Sequence, residues 1–166
     1  MLLSLCNNWE FTEVWNEAFA QGHGDAKAIR LPHTVCELPL HYIDHKTYQM
    51  LCGYRRTLSI PTEYAGKRLF LQFDGAAHIA TIYVNGKECC HHRCGYTAFR
   101  CEITDLVTPG EDAIICVKLD TTENPAVPPF GYVIDYLTYG GAFICRDGSG
   151  AQGRGRSCSR VFSAYE

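Results

Sequence analysis

An excess of either charge is missing from this sequence: 15 Lys and Arg stand against 18 Asp and Glu, a formal net charge of −3, and the sequence pI is near 6.1. Without a basic face to neutralise phosphates, nucleic acid is not an expected partner. Long apolar runs are missing too, since nowhere do about 18 consecutive apolar residues occur, so no membrane-spanning helix is expected. The opening Met-Leu-Leu-Ser-Leu-Cys-Asn-Asn has no positive n-region and only a brief apolar stretch. That does not fit a secretory signal, and a cytoplasmic location is the expectation. Length is also short: the chain has 166 residues, and a complete (β/α)₈ barrel needs about 200 or more. Chemistry that requires such a barrel cannot be housed here.

What is present is the composition of one globular domain, 46% hydrophobic, 12% aromatic and 20% charged. A chain of this size buries about 70% of its unfolded surface, so a core can form without disulfides or a structural metal. Cysteine is abundant, with ten residues at Cys6, Cys36, Cys52, Cys89, Cys90, Cys94, Cys101, Cys116, Cys145 and Cys158. No CxxC repeat organises them, so free thiols in a reducing compartment are expected. In Ile114-Ile115-Cys116-Val117 the cysteine reads as a small hydrophobe within a strand.

The periodicity is that of strands. Leu69, Leu71 and Phe73 alternate with Phe70, Gln72 and Asp74; Ala80, Ile82 and Val84 with Ile79, Thr81 and Tyr83; Ala113, Ile115, Val117 and Leu119 with Ile114, Cys116 and Lys118. Breaks such as Ile60-Pro61-Thr62, Asp74-Gly75 and Thr108-Pro109-Gly110 separate them, the pattern of an all-β sandwich or barrel. Asn85-Gly86 supplies the two positive-φ residues of a type I′ turn, which predicts a hairpin centred there. Between Phe11 and Ala20 two readings stay open: a short helix carrying Phe11, Val14, Trp15, Ala18 and Phe19, or a strand at Trp9-Glu10-Phe11 followed by a loop. After Asp147 the chain turns Gly-, Ser- and Arg-rich with little to bury, so 148–166 reads as a flexible tail behind a domain over 1–147. Arg154, Arg156 and Arg160 in that tail read as solvated charges.

Candidate chemistry is sparse. Cys89-Cys90-His91-His92-Arg93-Cys94 concentrates soft-metal ligands, yet simple strand alternation puts Cys89, His91 and Arg93 on one face and Cys90, His92 and Cys94 on the other. An exposed, mixed-polarity hairpin arm is the expected reading, with a Cys/His metal protein as a minor alternative; no metal or cofactor is expected. His23, His33, His41, His45 and His78 are scattered and belong to no HExxH or GxSxG pattern. Sequence nominates no acid/base carboxylate pair. The segment Pro128-Pro129-Phe130-Gly131-Tyr132-Val133-Ile134-Asp135-Tyr136-Leu137-Thr138-Tyr139-Gly140-Gly141 is better founded. Sugar rings present apolar C–H faces and hydroxyl edges, which suit tyrosines beside a carboxylate that accepts two hydroxyl hydrogen bonds. A core-covering loop with packing tyrosines is the competing reading.

The order of motifs carries a resemblance. Leu31-Pro32-His33-Thr34, Gly53-Tyr54-Arg55-Arg56 with Ile60-Pro61, Leu71-Gln72-Phe73-Asp74-Gly75, Val84-Asn85-Gly86-Lys87, Gly95-Tyr96-Thr97-Ala98-Phe99, Ile103-Thr104-Asp105-Leu106 and Ile134-Asp135-Tyr136-Leu137-Thr138-Tyr139-Gly140-Gly141 together resemble the N-terminal sugar-binding domain of glycoside hydrolase family 2. The resemblance covers about residues 8 to 147 and is greatest to the β-galactosidases. It implies a jelly-roll β-sandwich of the galactose-binding-domain-like kind, within an enzyme whose acid/base and nucleophile Glu lie in a (β/α)₈ barrel behind an immunoglobulin-like domain. It also implies that Asp135 binds the hydroxyls of a terminal sugar, with Tyr136 and Tyr139 as walls beside it. On the same ground Arg55, Arg56 and His33 are expected to be scaffold. This chain departs from the family pattern in having Cys94-Gly95 where two glycines are common and Cys89-Cys90 where small residues are usual. Past Gly140-Gly141, Ala142-Phe143-Ile144-Cys145 intervenes before Arg146-Asp147, and the change of character after Asp147 reads as a truncated or frame-shifted end. Terminal β-galactosides or related sugars are the expected partners, as are the immunoglobulin-like and barrel domains. The alternative is a stand-alone carbohydrate-binding or subunit-interaction module, with self-association through apolar strands left uncovered.

Overall fold

A computed structural model describes residues 2–37, 44–127, 141–145 and 160–164. In chain order its strands are β1 (Leu2–Ser4), β2 (Trp9–Thr12), β3 (Lys27–Ile29), β4 (His33–Thr34), β5 (Leu51–Ser59), β6 (Arg68–Phe73) and β7 (Gly75–Ala77). There follow β8 (Ile79–Val84), β9 (Lys87–Arg93), β10 (Phe99–Glu102), β11 (Asp112–Asp120), β12 (Gly141–Cys145) and β13 (Arg160–Ala164). Among the described residues one short α-helix, α1 (Glu17–Ala20), and three single-turn 3-10 helices interrupt them. The described ladders are all antiparallel. They form a six-stranded sheet in the order β3-β2-β5-β11-β8-β9, a four-stranded sheet β1-β13-β6-β10 and a three-stranded sheet β4-β12-β7. Thus Arg160–Ala164, inside the segment read as a tail, is a strand paired with β1 and β6.

Side chains from the two larger sheets meet in one core, which makes the fold a β-sandwich. Trp9, Tyr54, Ile82, Val84, Ile115, Val117 and Leu119 face it from the six-stranded sheet, and Leu69, Leu71, Phe73 and Cys101 from the four-stranded one. The period-two reading therefore holds in β6, β8 and β11. β11 also buries Cys116 on its other face, beneath Trp15, Phe19 and Ala20. The two readings of Phe11 to Ala20 share the segment: a strand runs to Thr12, and α1 begins after Asn16, whose side chain accepts the Phe19 N–H at 2.9 Å. Close docking of α1 needs Gly53 on β5, because a Cβ there would lie 2.9 Å from Trp15 and 3.0 Å from Phe19.

Arg55 stands on the same face of β5 and is only 9% exposed. Its Nε donates to Glu10 Oε2 at 2.7 Å, and its terminal nitrogens donate to the His23 carbonyl at 3.0 Å and the Gly24 carbonyl at 3.3 Å. The guanidinium also lies 4.4 Å from the centroid of the Phe19 ring. One cation thus joins β2, β5, α1 and the chain leading to β3. Arg56 donates to the Asn7 carbonyl at 2.8 Å, so both arginines serve the scaffold, though largely through carbonyls and not through paired carboxylates.

Asn85 and Gly86 take φ of 50° and 77°, which forms the expected two-residue turn between β8 and β9. Asn85 does more than turn the chain: its side chain donates to the Leu106 carbonyl at 2.8 Å and accepts the Ile114 N–H at 2.9 Å. The alternation expected along β9 fails at one place. Ile82 pairs with Cys90 but Tyr83 pairs with Glu88, which leaves Cys89 as the extra residue of a β-bulge. Cys89 and Cys90 both pack against the main core instead of facing opposite ways. Cys36, Cys52, Cys89, Cys90, Cys94, Cys101 and Cys116 are free thiols. Cys6 is disulfide-bonded, which corrects the expectation of free thiols at that position.

Two sets of substitutions test this scaffold. Arg55→Ala leaves Glu10 and two carbonyls without their donor and is expected to cost on the order of 2 kcal/mol, moderated because the Glu10 side chain is 47% exposed. Arg55→Lys keeps the charge but not the fork and should recover only part of the loss in urea midpoint; a lysine variant as stable as the parent contradicts the account. Cys94 holds φ +155°, a backbone state that favours glycine, so Cys94→Gly is expected to stabilise by about 1 kcal/mol. The neighbouring Gly95→Ala would put a Cβ 2.6 Å from Ala77 Cβ and 2.9 Å from its Cα, at a cost of about 1–3 kcal/mol. Thermal melts of these two variants should therefore move in opposite directions.

Candidate functional site

The small sheet is where the aromatic and acidic segment re-enters the fold. Gly141, the first residue of β12, lies opposite Thr34 of β4 on one side and Ala77 of β7 on the other, and Ala142 lies opposite His33 and Ala76. Gly141 directly follows the segment that carries Asp135, Tyr136 and Tyr139. Those three residues lie outside the described residues, but the chain on both sides of the segment is placed.

On the upstream side β11 ends at Asp120, and its carboxylate accepts the Thr122 N–H at 2.9 Å and the Thr122 hydroxyl at 2.6 Å. Fully buried Thr121 donates its hydroxyl to the Tyr48 carbonyl at 2.6 Å and accepts the Met50 N–H at 2.9 Å. The turn that follows is closed by Asn124, and it delivers a buried Val127. Departure and return pass close to one residue, His78. Its N–H donates to the Asp120 carbonyl at 3.0 Å, its Nδ1 lies 3.4 Å from the Thr122 carbonyl, and it immediately follows Ala77, the partner of Gly141. The Ala77–His78 peptide bond is cis.

His78 is 4% exposed, and its Nε2 has no hydrogen-bond partner among the described residues. A buried imidazole nitrogen without a partner departs from the rule that buried polar groups are satisfied. Sequence reading left His78 among scattered histidines because no motif surrounds it. The available signal was a lone polar residue in the apolar run Ala76-Ala77-His78-Ile79-Ala80, after the Asp74-Gly75 break. Gly95 supports the same place from below, since its missing side chain lets the backbone approach Ala77.

His33 lies on the other flank of β12 and is scaffold, as expected. Its Nδ1 shares a hydrogen bond of 3.1 Å with the Tyr54 hydroxyl, and its ring packs 4.8 Å from that of Phe11. Burial, helped by the charge of Lys27, pushes its pKa below the ordinary histidine value. The neutral imidazole is the resident form near pH 7. β4 and β7, which flank β12 at this junction, carry no charged side chain beside the neutral His33, and the chain with the carboxylate and tyrosines returns between them. Such a junction suits the positioning of a neutral polyol better than proton transfer.

Elsewhere the sequence candidates disperse. His91 shares a hydrogen bond of 3.0 Å with the Thr81 hydroxyl, while His92 bonds the Thr97 hydroxyl at 2.9 Å and stacks on Phe99 at 4.1 Å. The two rings of the Cys/His run are thus engaged separately. No group of three His, Cys, Asp or Glu among the described residues is disposed to hold a metal ion. No helix among them is long and apolar enough to cross a membrane.

Comparison with known proteins agrees with the fold. Residues 20–146 match the model for the sugar binding domain of glycosyl hydrolases family 2. A β-galactosidase of Thermoanaerobacterium thermosulfurigenes is 34% identical over 145 residues, 86% of this chain and 20% of the relative. A β-glucuronidase of Bacteroides fragilis is 39% identical over 132 residues, 78% of this chain and 18% of the relative. Among solved structures, β-glucuronidase 2 of Bacteroides uniformis superposes with a TM-score of 0.75 at 24% identity, covering 97% of this chain and 17% of that one. The β-glucuronidase of Ruminococcus gnavus superposes with a TM-score of 0.76 at 20% identity, covering 97% of this chain and 28% of that one. The chain spans about a fifth of the length of the curated relatives it matches. With a β-sandwich of this topology and a family match over most of its residues, the chain belongs to the sugar-binding domains of family 2 glycosyl hydrolases.

Proposed function

We propose that this domain contributes substrate contacts to the hydrolysis of terminal β-galactosides by a retaining family 2 glycosidase. The carboxyl pair that cleaves the bond belongs to a barrel this chain is too short to contain. Asp135 accepts hydrogen bonds from hydroxyls of the terminal sugar, and Tyr136 and Tyr139 flank the ring. A carboxylate in this role positions the sugar and takes no part in proton transfer. An uncharged galactoside suits an anionic acceptor better than a uronate does, since like charges in one site repel. The observation that supports the reading is that the segment returns at Gly141 beside Ala77, next to His78, which binds Asp120 and Thr122 on the strand end that leads into it. The Nε2 of that histidine, which has no partner among the described residues, adds a second polar group near Gly141.

Only a few hydrogen bonds come from one loop, so a dissociation constant on the order of millimolar is expected for methyl β-galactoside. Saturation-transfer NMR on the full chain measures it. Asp135→Ala should weaken binding about tenfold or more, the loss of hydrogen bonds to a charged acceptor, while the far-ultraviolet circular dichroism stays unchanged. Equal binding by the parent and the folded variant contradicts the assignment of that loop. The chain alone should leave nitrophenyl β-galactoside intact, and turnover by the pure chain contradicts the proposed division of labour.

A further inference from the structure

Three thiols meet where the edges of the two large sheets approach each other, at a distance in the chain from the sugar loop. β9 is an edge of the six-stranded sheet and β10 an edge of the four-stranded one. The β-bulge at Cys89 turns two consecutive side chains of β9 to the same side, and both pack against the core that holds Cys101 of β10. The Cys101 thiol is 4% exposed and donates to the Leu71 carbonyl at 3.8 Å, while the neighbouring Glu102 meets the bulged strand. Cys89 donates to the Glu102 carbonyl at 3.3 Å. Cys90 has no such backbone acceptor among the described residues and is half-buried. A regular strand would have sent one of the two β9 sulfurs away from Cys101.

We propose that Cys90 and Cys101 form a dithiol site that reacts with small-molecule disulfides, of the glutathione disulfide class, and closes a covalent bridge between the two sheets. In the first step the Cys90 thiolate attacks one sulfur of the disulfide, the S–S bond breaks, and one small thiolate leaves. In the second step Cys101 gives up its proton to solvent and attacks the Cys90 sulfur, displacing the second small thiolate, which is protonated. Two protein thiols are oxidised to one disulfide and one small disulfide is reduced to two thiols.

The environments of the two sulfurs suit this order. The Cys101 thiol beside it holds Cys90 down at about 7, despite the opposing effects of burial and of Glu88. Cys101 is pushed up, first by the neighbouring thiols of Cys89 and Cys90 and then by burial. The half-buried sulfur is therefore the nucleophile and the fully buried one the resolving thiol. Cys52 and Cys116, held up at about 12 by burial, are not competitors.

The test uses the full chain, glutathione disulfide and tryptic mapping without reduction after quenching with N-ethylmaleimide. Cleavage at Lys87, Arg93, Arg100 and Lys118 places Cys89 and Cys90 in peptide 88–93 and Cys101 in peptide 101–118. The expected product is these two peptides joined, less two hydrogens, with fragmentation locating the bond at Cys90 and Cys101. Recovery of both peptides unlinked, or a bridge to Cys116, overturns the proposal. Cys101→Ser should stop the reaction at a glutathione adduct on Cys90, and Cys89→Ser should leave the bridge intact. A bridge that survives Cys90→Ser but is lost in Cys89→Ser also overturns it. Iodoacetamide labelling of the unmodified chain needs no variant, and peptide 88–93 should be labelled about tenfold faster than peptide 101–118. Equal rates contradict the assigned roles.

Discussion

The nine-residue ladder between β5 and β11 is the constraint on which the rest depends. Every residue from Leu51 to Ser59 has a partner from Asp120 back to Asp112, with no shift of register along the way. A slip of one residue would exchange the faces, sending Tyr54 and Val117 outward and Arg55 and Cys116 into the main core. The main core and the smaller cluster under α1 exist in their observed form only because this register holds. Arg55 and Gly53 secure it from the outer face, one by bonds to Glu10 and two carbonyls, the other by letting Trp15 and Phe19 lie against the sheet.

The same ladder places the functional end of the molecule. Where β11 finishes, Asp120 holds both the His78 backbone and the Thr122 side chain, so the strand fixes the turn into β8 and the chain that leads towards the 128–140 segment together. β7 continues from that turn to pair with β12, which carries the loop back between Ala77 and Thr34. The thiol cluster between β9 and β10 arises from another local device, a single inserted residue in β9.

Legibility in the sequence followed the physics of each feature. Strands with one buried face announce themselves through alternation, and Asn85-Gly86 announces its turn because few residue pairs tolerate two positive φ angles. α1 was half legible, since four residues give too little periodicity to separate a helix from a loop. The facing of Cys89 was not legible, because alternation assumes even pairing and a bulge is a property of two strands at once. His78 gave only the signal of a lone polar residue in an apolar run, since its surroundings follow from the meeting of β7, β11 and β12, which are far apart in the chain. Asp135, Tyr136 and Tyr139 were nominated by side-chain chemistry and by the order of motifs around them. For those residues the fold supplies the anchor points of the loop.

The location of the sugar site is the central claim, and backbone amide shifts of the full chain during titration with methyl β-galactoside test it most directly. The largest changes are predicted for the amides of His33, Thr34, Ala77, His78 and Gly141, around the base of the loop. Shifts that saturate elsewhere, for example along β9 and β10, while these five stay fixed would contradict it.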